Sequence, residues 1–302
     1  MKKDFLSITD LTENEIMHVF ARADAFKKGG RSGALSSKSV VLVFEKASTR
    51  TRVSFEAGIS RLGGHPVVLT PEASQMGRGE PIKDTARILS GYAHAIVMRT
   101  FGHSRIEEMA SWADVPVINA LTDLLHPCQV LSDCFTLKQR FGDLRGRKIG
   151  WVGDGNNMAN SWINAASLFG FDLWLACPEG FGPERKIMDV AISRGARIEL
   201  VGDPRDAARD AIAVNTDVWA SMGQEQDVGL REEKFKGFQV DSSLMALAAS
   251  NAVFMHCLPA HRGQEVSEEV LESPRSIVWE QALNRLYVQM ALMELLMQER
   301  NG

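Results

Sequence analysis

Cysteine is scarce in this sequence: the chain has four (Cys128, Cys134, Cys177 and Cys257) in 302 residues, and no C-x-x-C pair. That spacing excludes a disulfide framework, a zinc ribbon and a thioredoxin-like redox site. Long hydrophobic runs are missing too. The longest uncharged stretch, Ser242 to His261, holds serines, Asn251, two histidines and Pro259, which is too polar for a membrane span. No apolar segment follows Lys2-Lys3, so no signal peptide is read. Excess charge of one sign is also lacking. The chain carries 34 Lys+Arg against 38 Asp+Glu, a net of -4, which argues against a dedicated nucleic-acid binder. With 45% hydrophobic residues, disordered and collagen-like classes are out. There is no solenoid repeat and no low-complexity tract. A cytoplasmic globular protein without membrane contact is expected.

What is present is an alternation of short β-rich runs with helical patterns, over a length that predicts two domains at roughly 150 residues each. Val40 to Phe44, Pro66 to Leu69, Ala95 to Met98 and Val115 to Ile118 read as buried strands. Val53 to Leu62 and Asp84 to Tyr92 read as helices between them. A second series runs through Lys148 to Val152, Asp172 to Ala176, Ala196 to Val201, Ala211 to Asn215, Ala252 to His256 and Ile277 to Trp279. Such alternation implies an α/β protein with two doubly wound parallel-sheet domains. The helical stretch Leu131 to Phe141 would bridge them, and Gln281 to Gln298, apolar at helical spacing, would pack as a final helix. The expected division is 1–130 plus 281–302 against 131–280.

In open parallel sheets, ligands collect beyond the carboxyl ends of the strands, so the segments after each strand carry the chemistry. After the first comes Ser48-Thr49-Arg50-Thr51-Arg52, leading into a helix. Hydroxyls and backbone N–H groups at a helix N-terminus bind anions, and guanidinium groups suit bidentate phosphate contact. A plain Ser/Thr cap with solvated arginines is the bland alternative. No Walker loop is present. Arg99 stands at the third strand's end, and His126-Pro127-Cys128-Gln129 follows the fourth; His126 and Gln129 could each hydrogen-bond a carbonyl-type oxygen. In the second half, Gly153-Asp154-Gly155-Asn156-Asn157-Met158 resembles a dinucleotide fingerprint. Met158 replaces its third glycine, and no acid follows the next strand to hold a ribose, so a nicotinamide cofactor is not expected. Asp217 at a strand end, before Ser221-Met222-Gly223, suits a ligand ammonium group or a helix cap. In His256-Cys257-Leu258-Pro259, adjacent His and Cys seldom share one ion, so no metal is expected. The Cys257 thiol, beside imidazole and guanidinium groups, would have a lowered pKa and could be reactive.

Together these segments, with Gly77-Arg78-Gly79-Glu80-Pro81, resemble the aspartate/ornithine carbamoyltransferase family over nearly the whole chain. The Ser-Met-Gly and His-Cys-Leu-Pro segments point within it to ornithine. The resemblance implies transfer of a carbamoyl group from carbamoyl phosphate to the δ-amine of L-ornithine, in arginine biosynthesis, with no cofactor. It implies that Ser48, Thr49, Arg50 and Thr51 hold the phosphate, and that Arg99, His126 and Gln129 hold phosphate and carbonyl oxygens. Pro127, Cys128, Cys257, Leu258 and Arg285 would complete the carbamoyl-phosphate site, and Gln75 would reach a neighbouring subunit's site. Asn157, Asp217, Ser221 and Met222 would fix the amino-acid end of ornithine. Arg50, Arg99, His126, Asp217 and Cys257 would be the catalytic set. The family also implies a C-terminal helix returning to the first domain and a homotrimer. Competing readings are another acceptor (putrescine, N-acetylornithine or aspartate), a nicotinamide-dependent oxidoreductase, and a catalytically idle relative.

Overall fold

The computed structural model describes residues 2–72, 74–220 and 228–298. The chain divides into two units, one of Met1–Phe135 with Leu283–Gly302 and one of Thr136–Ala282.

The first unit opens on α1 (Glu13–Lys27), whose start is fixed reciprocally by Thr12 and Glu15. Then strands and helices alternate: β1 (Ser39–Phe44), α2 (Thr49–Arg61), β2 (His65–Leu69), α3 (Ile82–Tyr92), β3 (Ala95–Arg99), α4 (His103–Trp112), β4 (Val117–Leu121) and α5 (Pro127–Phe141). The sheet order is β2-β1-β3-β4, and each neighbouring pair is parallel. Val41, Val43, Ile96, Met98 and Val117 share a core with Ile82, Ala86 and Leu89 of α3 and Ile106 and Met109 of α4. β2 is an edge strand and only partly buried, which corrects the expectation of a buried strand at Pro66 to Leu69. β4 starts at Val117 rather than Val115.

α5 begins in the first unit and carries the chain into the second. There follow β5 (Lys148–Val152), α6 (Asn157–Phe169), β6 (Asp172–Ala176), α7 (Arg185–Ser193), β7 (Arg197–Val201), α8 (Pro204–Ala208), β8 (Ala213–Thr216), α9 (Val228–Lys234), α10 (Ser242–Met245), β9 (Val253–His256), α11 (Glu268–Leu271) and α12 (Val278–Gln298). Its sheet order is β7-β6-β5-β8-β9, again parallel throughout. The strand expected at Ile277 to Trp279 is absent. Ser276 makes one isolated bridge to Phe254, and α12 starts at Val278.

From Leu283 on, α12 belongs to the first unit. Glu294, deep in this helix, accepts from Arg22 Nε at 2.5 Å and Nη2 at 3.0 Å, and from the Ser32 hydroxyl at 2.5 Å. Burial works to raise the Glu294 pKa, but the Arg22 and Ser32 hydrogen bonds outweigh it and hold the carboxyl below its usual range. A bidentate pair of this kind fixes the returning helix on α1.

Both sheets reverse their winding at one place. In the first unit β1 leads outward to β2, then the chain returns to lay β3 on the other side. In the second, β5, β6 and β7 run outward before β8 joins the far side of β5. The crevice at the carboxyl ends beside such a reversal is where open α/β sheets bind ligands. One glycine is fixed by its surroundings there. Gly155, after β5, donates to the Phe181 carbonyl at 2.8 Å, and a Cβ on it would lie 2.2 Å from Gly182 C and Pro183 N. Gly155→Ala is therefore expected to lower Tm by roughly 5–10 °C, since backbone must move to admit the methyl. A thermal melt within 1–2 °C of the parent, roughly, would show that the loop yields freely.

Candidate active site

The first unit gathers its cations at the β1–β3 reversal. α2 starts one turn earlier than its apolar pattern indicates, at Thr49, so the Ser-Thr-Arg-Thr segment is the helix's own first turn. Ser48 occupies the cap position, but its hydroxyl makes no capping hydrogen bond. The first-turn N–H groups therefore have no side-chain cap there, and with the helix dipole they suit an anion. Thr49 and Arg50 are exposed and Thr51 is buried. Thr51 Oγ1 accepts from Arg285 Nη2 at 2.7 Å, which leaves its own proton to donate. Arg285 and Arg99 are buried, at 3% and 9% exposure. Arg52, read from sequence as part of the anion site, instead pairs with Glu56 one turn on at 2.7 Å.

His126 precedes α5 and is buried. Burial first, then the Arg285 and Arg99 guanidinium groups, drive its pKa well below the ordinary value. The imidazole is thus neutral at pH 7, a hydrogen-bonding group rather than a third cation. The shift has a consequence for stability. The unfolded chain takes up a proton at this histidine below about pH 6.5 while the folded chain does not, so stability falls as pH drops through that value, by up to about 1.4 kcal/mol per pH unit. Between pH 7.5 and 5.5, Tm of the parent is expected to fall more than that of a His126→Asn variant. Parallel curves would contradict the assignment.

Pro127 is the first residue of α5, a position that its missing N–H and fixed φ suit. Cys128 is buried, its thiol donates to the Asn119 carbonyl at 3.3 Å, and burial pushes its pKa up to about 12. Its side chain is buried packing. Gln129, 1% exposed, donates from Nε2 to Asp133 Oδ1 at 2.8 Å, while its Oε1 has no hydrogen-bond partner. Gln75 is exposed on a separate 3-10 turn, Gln75–Arg78.

Sequence reasoning missed the frame that holds the loop after β1. Glu45 N–H bonds the Arg99 carbonyl at 2.9 Å. The Glu45 carboxylate takes Arg105 at 2.6 and 3.1 Å, and the Thr100 hydroxyl. Lys46 pairs with Asp123 at 2.5 Å and lies 4.4 Å over the Phe101 ring. These partners sit after three different strands, a relation that only the parallel sheet reveals.

The second unit sets a carboxylate at the β5–β8 reversal. Asp217 is 7% exposed. Its Oδ2 accepts from Asn156 Nδ2 at 2.8 Å and its Oδ1 from Cys257 Sγ at 3.0 Å. Asn156 is fixed in turn because its Oδ1 caps α6, accepting from Met158 N at 2.9 Å. Asn157, the expected ligand residue, is the half-buried first residue of that helix; its neighbour Asn156 is the one tied to Asp217. Cys257 therefore has a carboxylate at hydrogen-bond distance, where the sequence suggested imidazole and guanidinium neighbours. Beside it, Leu258 is half-buried with a left-handed φ of 60°. Its N–H donates to His256 Nδ1 at 2.8 Å, and His256 Nε2 bonds Glu265 Oε1 at 3.1 Å. The ligand atoms of Asp217, His256 and Cys257 lie within 4.8 Å of one another. Both imidazole nitrogens are nonetheless engaged, and the histidine acts as the brace of the turn. Ser221 and Met222 lie outside the described residues.

Behind Asp217, Asp154 pairs with Arg231 Nη1 at 2.7 Å, and the same nitrogen donates to the Trp219 carbonyl at 2.5 Å. Burial is the main influence on Asp154 and raises its pKa despite that guanidinium.

Among the described residues, no helix is long and apolar enough to cross a membrane. The family model described as "Aspartate/ornithine carbamoyltransferase, carbamoyl-P binding domain" matches residues 3–139, and the companion "Asp/Orn binding domain" matches residues 145–296. An ornithine carbamoyltransferase of Oleidesulfovibrio alaskensis is 54% identical over 299 residues, covering 99% of this chain and all of the relative. One from Geobacter sulfurreducens is 50% identical over 302 residues, covering 98% of this chain and all of the relative. The solved structure of ornithine carbamoyltransferase from Pyrococcus furiosus superposes with a TM-score of 0.94 at 44% identity, covering 98% of this chain and 97% of that one.

Proposed function

We propose that this chain, which belongs to the aspartate/ornithine carbamoyltransferase family, transfers the carbamoyl group of carbamoyl phosphate to the δ-amine of L-ornithine, giving L-citrulline and phosphate. The observation that carries the reading is the division of chemistry between the two reversals. An uncapped helix start with buried Arg99 and Arg285 stands in the unit matched by the carbamoyl-P binding domain. A held carboxylate, Asp217, stands in the unit matched by the Asp/Orn binding domain.

On this reading Ser48, Thr49, Arg50 and Thr51 take the phosphate, with Arg99 and Arg285 beside it. Neutral His126 donates to the carbamoyl oxygen, and the start of α5 at Pro127, Cys128 and Gln129 faces the carbamoyl group. Asp217 takes ornithine's α-ammonium, with Asn157, Ser221 and Met222 on the amino-acid end. Cys257 and Leu258 line the place of reaction. Ornithine's δ-amine has a solution pKa near that of lysine, about 10.4, so its neutral form must be selected. The amine nitrogen attacks the carbamoyl carbon, a C–N bond forms, and the C–O bond to phosphate breaks as the tetrahedral intermediate collapses. The proton shed by the amine leaves with the phosphate. Arg50, Arg99 and His126 stabilise the negative charge that grows on oxygen. Cys257, a thiol bound to Asp217, positions rather than attacks, so no covalent enzyme intermediate forms. Gln75 would serve a neighbouring subunit in a homotrimer, and the activity would belong to cytoplasmic arginine biosynthesis. No cofactor or metal takes part.

A citrulline-forming assay tests the reading. With carbamoyl phosphate present, ornithine should outpace putrescine, N-acetylornithine and aspartate at equal concentration. Faster use of putrescine or N-acetylornithine would overturn the acceptor, and no ureido product from any of the four would overturn the activity.

A further inference from the structure

Gln129 offers the start of α5 a side chain that can present either an oxygen or an amide, because the two ends of a glutamine carboxamide are nearly the same shape. Its neighbour removes that freedom. Asp133, one turn along α5 and 0% exposed, offers a carboxyl oxygen as acceptor, and the amide end faces it. The 2.8 Å bond from Gln129 Nε2 to Asp133 Oδ1 is that contact. Oε1 is thereby turned the other way, buried and without a partner. The turn that holds it contains the binding groups, since Gln129 N–H bonds the His126 carbonyl at 3.2 Å. A buried acceptor left in this way is costly unless a ligand donor meets it.

We propose that Asp133 is a positioning residue that fixes Gln129 Oε1 as an acceptor for the carbamoyl –NH2 and so makes the site select carbamoyl phosphate over its methyl isostere, acetyl phosphate. The inference rests on the carbamoyl-phosphate reading above. The two phosphates share their charge, their carbonyl and nearly their shape, and differ in that one carries a donor where the other carries a methyl group. Phosphate-binding cations cannot tell them apart. A site built to hydrogen-bond a substrate N–H rejects the analogue that lacks it, because its own buried acceptor is then left unmet. With asparagine at position 133 either orientation of Gln129 finds a partner, and the enforced choice is lost.

The test compares KM for carbamoyl phosphate with the competitive Ki of acetyl phosphate and of inorganic phosphate, in the parent, Asp133→Asn and Gln129→Met. In the parent, acetyl phosphate should bind at least about tenfold more weakly than carbamoyl phosphate. In Asp133→Asn, KM for carbamoyl phosphate should rise about tenfold while both Ki values move by less than about twofold, so the preference collapses. A variant in which KM and both Ki values rise together would show that Asp133 only supports the fold, and an unchanged ratio would show no role. Either result overturns the proposal. Should Asp133→Asn fail to fold, Gln129→Met must itself lose the preference, and its keeping the parental ratio overturns the proposal equally. Failure of the underlying reading looks different: inorganic phosphate would not compete with carbamoyl phosphate in the parent, and no citrulline would form.

Discussion

Arg50→Ala is expected to fold like the parent and to lose kcat/KM for carbamoyl phosphate by roughly a thousandfold. Arg50 is exposed and pairs with no carboxylate among the described residues, so its removal leaves no buried charge behind. Its place in the first turn of α2, next to the unbonded Ser48 hydroxyl, puts a guanidinium where a phosphate would rest on the helix amides. Truncating one member of a desolvated charge pair costs about 2–5 kcal/mol, and each 1.4 kcal/mol is tenfold. Arg50→Lys should recover part of the loss, since an ammonium keeps the charge but not the fork. Arg52→Ala is the control. Its partner is Glu56 on the same helix face, a surface pair worth about 0.3–0.5 kcal/mol, so activity should change by less than about threefold. An Arg50→Ala enzyme within tenfold of the parent, roughly, would remove the phosphate from this helix start.

Much of the fold was legible in the sequence because buried parallel strands leave apolar runs. Val40 to Phe44, Lys148 to Val152 and Asp172 to Ala176 show this, and each is a strand within one residue of its observed bounds. Legibility fails where tertiary context overrides pattern. Ile277-Val278-Trp279 is β-branched and aromatic, yet Val278 already belongs to a helix of 21 residues. The start of α2 was hidden because Thr49 to Arg52 lacks apolar periodicity, for the same reason that it can serve as a ligand site.

The site residues divide in the same way. Ser48 to Thr51, Arg99 and Asp217 could be placed at the ends of strands because a strand end is visible in the sequence. Asn156 read from sequence as an amide contact for a polar ligand, and Glu45 and Asp133 carried no reading at all, since each acts through a partner. Asn156 reaches Asp217 across 61 positions, and Arg105 reaches Glu45 across 60. Cys257 shows the cost of reading neighbours in sequence for neighbours in space. His256 and Arg262 suggest a cationic setting, whereas the group at hydrogen-bond distance is the carboxylate of Asp217.

That carboxylate carries the second large effect. Asp217→Ala is expected to spare carbamoyl-phosphate binding and to lower kcat/KM for ornithine by roughly a thousandfold. Two donors, Asn156 Nδ2 and Cys257 Sγ, now converge on its two oxygens. They hold the group at one orientation and leave its remaining lone pairs for a ligand ammonium. Removing it strips the counter-charge from the α-ammonium and also frees Asn156 and Cys257, so a loss of about 2–5 kcal/mol is reached from both sides. Asp217→Asn separates the two contributions. It keeps the shape and one acceptor while losing the charge, so it should fall between the parent and Asp217→Ala, nearer the latter if charge dominates. Of the groups assigned to carbamoyl phosphate only Cys257 belongs to this cluster, and those assigned to its phosphate all lie in the first unit, hence the Kd for carbamoyl phosphate, measured by calorimetry, should stay within about twofold in both variants. A parallel loss of carbamoyl-phosphate binding would mean that the substitution damages the protein broadly. Near-normal ornithine use by Asp217→Ala would move the ammonium site elsewhere, and with it the division of labour between the two sheets.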